Sequence, residues 1–301
     1  MIQYLLAIVI PYYKITFFKQ TLESLANQTD KRFKVYIGND ASLENPENLI
    51  NEYKNKFPIV YKRFSKNLGG ISLVKQWERC FKLVENEKWI TILGDDDVYG
   101  ENVVESFYDN LKEIEQERIK VVRFATHKIN SESVVFSEIF KHPKKETCLD
   151  FFSREVRSSL SEYFFNKKQL LKIGFKDLPL GWSADKLAVF EVSNFNFIFS
   201  INEAIISVRI SENSISGGKG YDKQKLEAIY KYNYYIIDTY QSECSPSQYL
   251  SFSRDLNKSY LNSKIHFLRY LKINYLYLKK GDFSSVYNFQ CEVYNSIKLK
   301  Y

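Results

Sequence analysis

Three carboxylates stand in a row at Asp95, Asp96 and Asp97, directly behind the apolar run 89–93. Held together, like charges repel, so a counter-charge is expected among them. Hard oxygen ligands of this kind suit magnesium or manganese, and such an ion bridges readily to a diphosphate whose oxygens complete its shell. The simpler alternative is a solvated acidic turn before a helix, where the helix dipole favours negative charge. The dipole accounts for one carboxylate better than for three, so a metal–diphosphate site is the stronger expectation.

The elements that must position this turn alternate along the chain. Residues 5–10 form an apolar run halted by Pro11, the pattern of a central parallel strand buried on both faces. Ile15, Phe18, Leu22 and Leu25 then recur at helical spacing. Further strands are expected at 33–37, 59–64 and 89–93, with helices at 46–56 and 71–84. This order predicts an α/β fold with a Rossmann-like, mostly parallel, doubly wound sheet, helices on both faces and right-handed crossovers. Ligands of such sheets bind beyond the carboxyl ends of the strands. Pro11-Tyr12-Tyr13, Asn39-Asp40-Ala41-Ser42 and the acidic turn all fall at such ends, so distant residues converge on one edge.

A helix at 101–117 and a strand at 121–126 come next, then a polar loop or hairpin over 127–145. A strand at 159–165, a short helix at 167–172 and a helix capped by Ser183 follow. Short strands are expected at 197–200 and 204–209. The Gly/Ser-rich stretch 214–220 is the boundary signal, giving a catalytic domain over 1–216 and a helical region over 217–301. The first domain divides into a nucleotide half, 1–100, and an acceptor half, 101–216.

Composition narrows the class. A chain of 301 residues with 45% apolar and 26% charged residues is globular, and its +7 net charge is too modest to demand nucleic acid. Four scattered cysteines without a C-x-x-C pair fit a reducing compartment. No segment approaches the ~18 apolar residues of a membrane span. A soluble, cytoplasmic protein is expected. The 23 Tyr and 23 Phe suit half-wet surfaces such as sugar clefts and interfaces.

Taken in order, Ile8-Val9-Ile10-Pro11-Tyr12-Tyr13, Asn39-Asp40-Ala41-Ser42, Asn67-Leu68-Gly69-Gly70 and Leu93-Gly94-Asp95-Asp96-Asp97 resemble family 2 glycosyltransferases of the GT-A fold. The resemblance covers the first hundred residues and thins out towards residue 216. It implies a nucleobase pocket lined by Pro11, Tyr12 and Tyr13, with Asp40 contacting the base. Asn67 and Gly69 then shape a loop near the nucleotide, Gly69 through its backbone freedom. Alignment on Leu93 sets the family's D-x-D over Gly94-Asp95-Asp96, with its first Asp missing. Asp95 then faces the ribose, Asp96 binds the metal and Asp97 shares that role. The family's late His is absent. Arg209 occupies that stretch as a possible diphosphate contact. Arg79 could pair with the carboxylates, whereas Trp77 reads as core.

Inverting members need a carboxylate to take the acceptor hydroxyl's proton, and the resemblance assigns this to Asp185 with Trp182 stacking on an acceptor sugar. The alternative for the pair is a helix-dipole Asp beside a core Trp. The expected activity is inverting, metal-dependent transfer of a sugar from a nucleotide-sugar, foremost a UDP-sugar, to a glycan or lipid-linked acceptor in cell-surface polysaccharide biosynthesis. The alternatives are a silent nucleotide-sugar-binding scaffold, or a sugar nucleotidyltransferase, which lacks support because no Gly-rich loop follows the first strand. Residues 221–301 carry 12 Lys/Arg against 7 Asp/Glu. They are expected to pack on the catalytic domain or form a homodimer, with peripheral contact at the inner face of a membrane as the alternative.

Overall fold

The first strand, β1 (Leu6–Tyr12), is buried along its length except for a partly open Pro11, and its alternate side chains explain why. Leu6, Ile8, Ile10 and Tyr12 share one face and enter a core with Phe18, Leu22 and Leu25 of α1 (Phe18–Ala26). Each fully buried side chain of this size stabilises the fold by about 1.5–3 kcal/mol. In a computed structural model of the chain, residues 4–153, 157–212, 214–262 and 266–298 are described.

The chain continues through β2 (Phe33–Asn39), α2 (Glu47–Tyr53), β3 (Ile59–Arg63), α3 (Leu73–Phe81) and β4 (Trp89–Ile92). Helix α3 begins where Ser72 accepts the N–H of Lys75 at 3.1 Å. It packs against β1 and β2. After β4 come β5 (Val98–Tyr99), α4 (Val103–Gln116), β6 (Val121–Ile129), β7 (Lys145–Thr147) and α5 (Cys148–Ser153), then β8 (Tyr163–Asn166), α6 (Lys167–Ile173), α7 (Ala184–Ser193) and β9 (Phe197–Arg209).

The sheet order is β3-β2-β1-β4-β8-β6-β9-β5, with β7 beside β9. Strands β3, β2, β1 and β4 are parallel, as are β6 and β9. Strand β8 runs antiparallel between β4 and β6, and β5 antiparallel to β9. The strands anticipated at 197–200 and 204–209 are one strand, because Asn202 does not turn the chain. Its side chain bonds the backbone of His142 instead, and the irregularity is absorbed as a register shift opposite Phe124/Ala125. The segment after β6 is a hairpin excursion, closed by bridges Ile129–Val135 and Thr126–Phe140.

The chain divides into two compact units. One runs up to Asp177 and includes Ala184–Gly218; the other comprises Leu178–Ser183 and the chain from Lys219 onward. The second unit contains α8 (Asp222–Tyr240), α9 (Pro246–Asn262), α10 (Phe267–Lys279) and α11 (Phe283–Lys298). No helix among the described residues is long and apolar enough to cross a membrane.

Candidate active site

The acidic turn leaves β4 at Gly94 and re-enters the sheet two residues after Asp96, where Val98 pairs with Ser207 of β9. It is thus clamped at both ends, and its three carboxylates do different things. Asp95 reaches back to β1: its Oδ2 accepts the N–H groups of Tyr13 at 2.7 Å and Lys14 at 2.8 Å. Asp97 is buried, with Oδ1 accepting the Arg209 N–H at 2.9 Å and Oδ2 accepting the Ser161 hydroxyl at 2.5 Å. Its carbonyl takes the Thr21 hydroxyl at 2.9 Å. Among the described residues, the Asp96 carboxylate alone of the three accepts no hydrogen bond from another residue, its carbonyl being taken by Arg209.

Burial raises the pKa of all three carboxyls. For Asp96 the charges of Asp97 and Asp95 add to the burial, and its pKa is pushed well above the usual range. For Asp95 the Lys14 and Tyr13 amides pull back, and for Asp97 the Ser161 hydroxyl and the Arg209 amide do. Gly94 lets the carboxylates come close: a Cβ there would lie 2.9 Å from Asp96 Oδ1 and 3.2 Å from Asp97 Oδ2.

Arg209, anticipated as a diphosphate contact, is buried and spends its guanidinium inside the protein. Nε bonds the Asp96 carbonyl at 2.9 Å, Nη1 the Asn130 carbonyl at 2.7 Å and Nη2 the Gln20 Oε1 at 2.5 Å, with the Phe17 ring 4.3 Å beneath. In this arrangement it braces the turn from behind rather than facing a ligand.

The second convergent cluster is at the end of β2. Asp40 is buried, accepting the N–H of Leu68 and of Gly69, each at 2.7 Å, and pairing with Arg79. Asp40 thereby folds the Asn67–Gly70 loop over the sheet edge, and Asn67 Oδ1 closes it by accepting the Gly70 N–H. Gly69 is not in the left-handed region, contrary to the expected backbone role. It is glycine because a Cβ would stand 2.6 Å from Asp40 Oδ2. Ala41, next in sequence, does take a left-handed φ of 55°. Tyr12 is buried against Phe18, whereas Tyr13 is exposed, and Leu43 and Ile71 stand almost wholly in solvent at this edge. Trp77 is core, edge-on to Phe175 at 5.3 Å.

Asp185 is half-buried in the first turn of α7, where its Oδ2 accepts the Ser158 hydroxyl. The same hydroxyl lies 2.8 Å from the Tyr163 phenol. Beside it, Glu162 is fully buried, 3.2 Å from Arg157, and burial raises its carboxyl to about 7 against the pull of Arg157 and Arg123. The stretch 158–162 thus touches both chemical ends of the first unit, with Ser161 on Asp97 and Ser158 on Asp185. Trp182 belongs to the second unit, with the Lys225 amine 4.8 Å over its ring. Its neighbours Leu180 and Ser183 take left-handed φ values of 59° and 66°. Ser183 is therefore not in the extended form of an N-cap.

Sequence reasoning missed Ser158, Ser161 and Glu162. The S-x-x-E spacing of Ser159 and Glu162 was the available signal, and Glu162 Oε2 does accept the Ser159 N–H at 3.2 Å. No cluster of three or more His, Cys, Asp or Glu among the described residues could hold a metal by itself.

Residues 7–167 match the model of Glycosyl transferase family 2. No curated protein sequence matches the chain. Among solved structures it is similar to S. aureus TarS 1–349 in complex with UDP-GlcNAc, at 15% identity and a TM-score of 0.64, covering 96% of this chain and 91% of that one. Of a longer TarS chain it spans 44%. The mannosyltransferase PcManGT from Pyrobaculum calidifontis, in complex with GDP-Man and Mn2+, aligns at 9% identity and a TM-score of 0.59 over 97% of this chain and 86% of its own. GalNAc-T7 with UDP, GalNAc and Mn2+ aligns at 10% identity and a TM-score of 0.53, over 84% and 54%. Such identities speak for the fold alone, and that fold is GT-A. With more than half of its length matched by the family model, the chain belongs to glycosyltransferase family 2.

Proposed function

We propose that the chain transfers a sugar, with inversion, from a nucleotide-sugar to a hydroxyl of a glycan or lipid-linked acceptor in cell-surface polysaccharide biosynthesis. A UDP-sugar is the foremost donor; UDP-GlcNAc and UDP accompany the TarS structures that share this fold. The observation that carries the reading is the unequal use of the acidic turn. Asp95 and Asp97 are tied into the protein while Asp96 is left free at the carboxyl edge of the sheet. Manganese or magnesium bound there would stabilise charge on the departing diphosphate.

The protein's own residues then divide the remaining work. Asp95 orders the loop after β1 and offers its second oxygen towards the ribose, while Asp97, Ser161 and Arg209 hold the turn rigid. Pro11, the exposed Tyr13, and Asp40 with its Asn67–Gly69 loop form the nucleobase side. On the acceptor side Asp185 takes the proton of the attacking hydroxyl, oriented by Ser158.

Incubation with a panel of nucleotide-sugars and manganese, following release of free nucleoside diphosphate, tests the assignment. Turnover is expected with a UDP-sugar and is lost with chelator. Metal-dependent turnover that survives Asp96→Ala rules out the metal assignment.

A further inference from the structure

Two helices of the second unit carry apolar side chains on both of their faces. In α10, Ile273, Leu276 and Tyr277 are buried, yet Phe267, Leu268, Leu271, Tyr275 and Leu278 are 46% to 71% exposed. At 100° per residue those five gather into one stripe opposite the buried side. In α11, Phe289 and Val293 are buried while Phe283, Tyr287, Tyr294 and Ile297 are 43% to 72% exposed, again as one stripe. The stripes flank a common seam: Asn274, at the edge of the α10 stripe, accepts the Gln290 amide at 3.2 Å, and Gln290 lies within the α11 stripe. The helices are joined only by the turn at Lys280–Asp282, so they run antiparallel and present both stripes on one outward face.

This face is large for a protein of ordinary surface. Its five aromatics, at ~150–250 Å² each, expose several hundred Å² between them. That is about the size of the largest apolar patch on a typical monomer before the leucines and the isoleucine are added.

The charges around it select what covers it. Every exposed charged side chain of the hairpin is a cation, namely Lys272, Lys279 and Lys298, whereas its acids, Asp282 and Glu292, are half-buried. Lys279 also bonds Asp238 of α8 at 2.9 Å. A second copy docking through the same face about a two-fold axis would bring cations towards cations with no acid in reach on the face itself. A bilayer with anionic headgroups complements it, since rings and aliphatic side chains enter the acyl boundary while lysine stems reach the phosphates. We infer that the outward face of α10 and α11 is a docking surface for an anionic membrane. The inference stands on this helical hairpin alone and is independent of the donor chemistry.

Flotation of the full chain with phosphatidylcholine vesicles, with and without phosphatidylglycerol, tests it. The wild-type protein is expected to float with the anionic vesicles and to do so less well with the neutral ones. A variant carrying Leu268→Ser, Tyr275→Ser, Phe283→Ser and Tyr287→Ser changes only exposed positions, so its circular dichroism and melting should be those of the wild type. Its partition onto anionic vesicles should fall roughly tenfold or more. Lys272→Glu with Lys298→Glu should lose a similar factor on anionic vesicles only. Absence of wild-type flotation, or undiminished flotation of the apolar variant, overturns the inference. So does a wild-type dimer seen by light scattering that the apolar variant dissolves without any vesicle association, which assigns the face to a second copy.

Discussion

Replacing Asp96 with Asn should make the ligand-free protein more stable and the protein with nucleotide less so. Asp96 Oδ1 and Asp97 Oδ2 both approach the point where a Gly94 Cβ would lie, at 2.9 and 3.2 Å, so they are at most about 6 Å apart. Two unit charges at that separation repel by about 3 kcal/mol at an effective dielectric of about 20. Asp96 is half-buried rather than sealed, so solvent screening leaves about 1–2 kcal/mol for the substitution to recover. Asn keeps the shape of the side chain and breaks no bond to another described residue. For a unit of this size each kcal/mol moves the melting temperature by about 2–4 °C, so a rise of about 2–8 °C is expected in EDTA. Adding UDP and manganese at about a hundred times the dissociation constant should stabilise the wild type by about 2.7 kcal/mol and the variant hardly at all. Differential scanning fluorimetry in the two buffers reads both effects, and the order of melting should invert between them. A variant that melts below the wild type in EDTA, or that gains the full shift with UDP and manganese, refutes the electrostatic argument and the ligand assignment respectively.

Asp185→Asn should lower transfer to an acceptor by about 10²–10⁴ while leaving the thermal shift with UDP and manganese intact. Ser158→Ala removes the hydroxyl that links Asp185 to Tyr163 and should cost transfer roughly tenfold, with retention of full rate counting against the positioning role. Glu162 binds a proton on folding in the window between its unfolded value and about 7, so its contribution to stability is lost as pH rises through that window, by about 3 kcal/mol in all. Urea melts at pH 5 and pH 8 should therefore differ more for the wild type than for Glu162→Gln. Gly69→Ala inserts a Cβ 2.6 Å from Asp40 Oδ2 and should destabilise by about 1–3 kcal/mol, with weaker nucleotide binding as the loop is displaced.

The part of this fold legible in the sequence is the part built from continuous periodicity. Strands β1, β2 and β4 announce themselves because a buried parallel strand is apolar on both faces, the edge strand β3 by a shorter apolar run, and their carboxyl ends locate the edge where ligands bind. The two-residue strand β5 carries no such pattern, since its place is set by β9, more than a hundred residues away. The same limit applies within the site. Residue type marks 95–97 as acidic but cannot say which carboxylate is free, because that depends on donors from Tyr13, Lys14, Ser161 and Arg209, all remote in sequence. Arg209 shows the limit of aligned position as a guide to contacts. Its place in the stretch of the family's late His suggests a diphosphate contact, yet the acceptors that take its guanidinium are main-chain carbonyls and the side chains of Gln20 and Ser133, which leave no sequence signature. With its guanidinium bonded to Asp96, Asn130, Ser133 and Gln20, Arg209 would have to give up protein contacts to turn to a phosphate. On the proposed reading, the positive charge that a departing diphosphate needs here comes from a divalent ion on Asp96 rather than from Arg209.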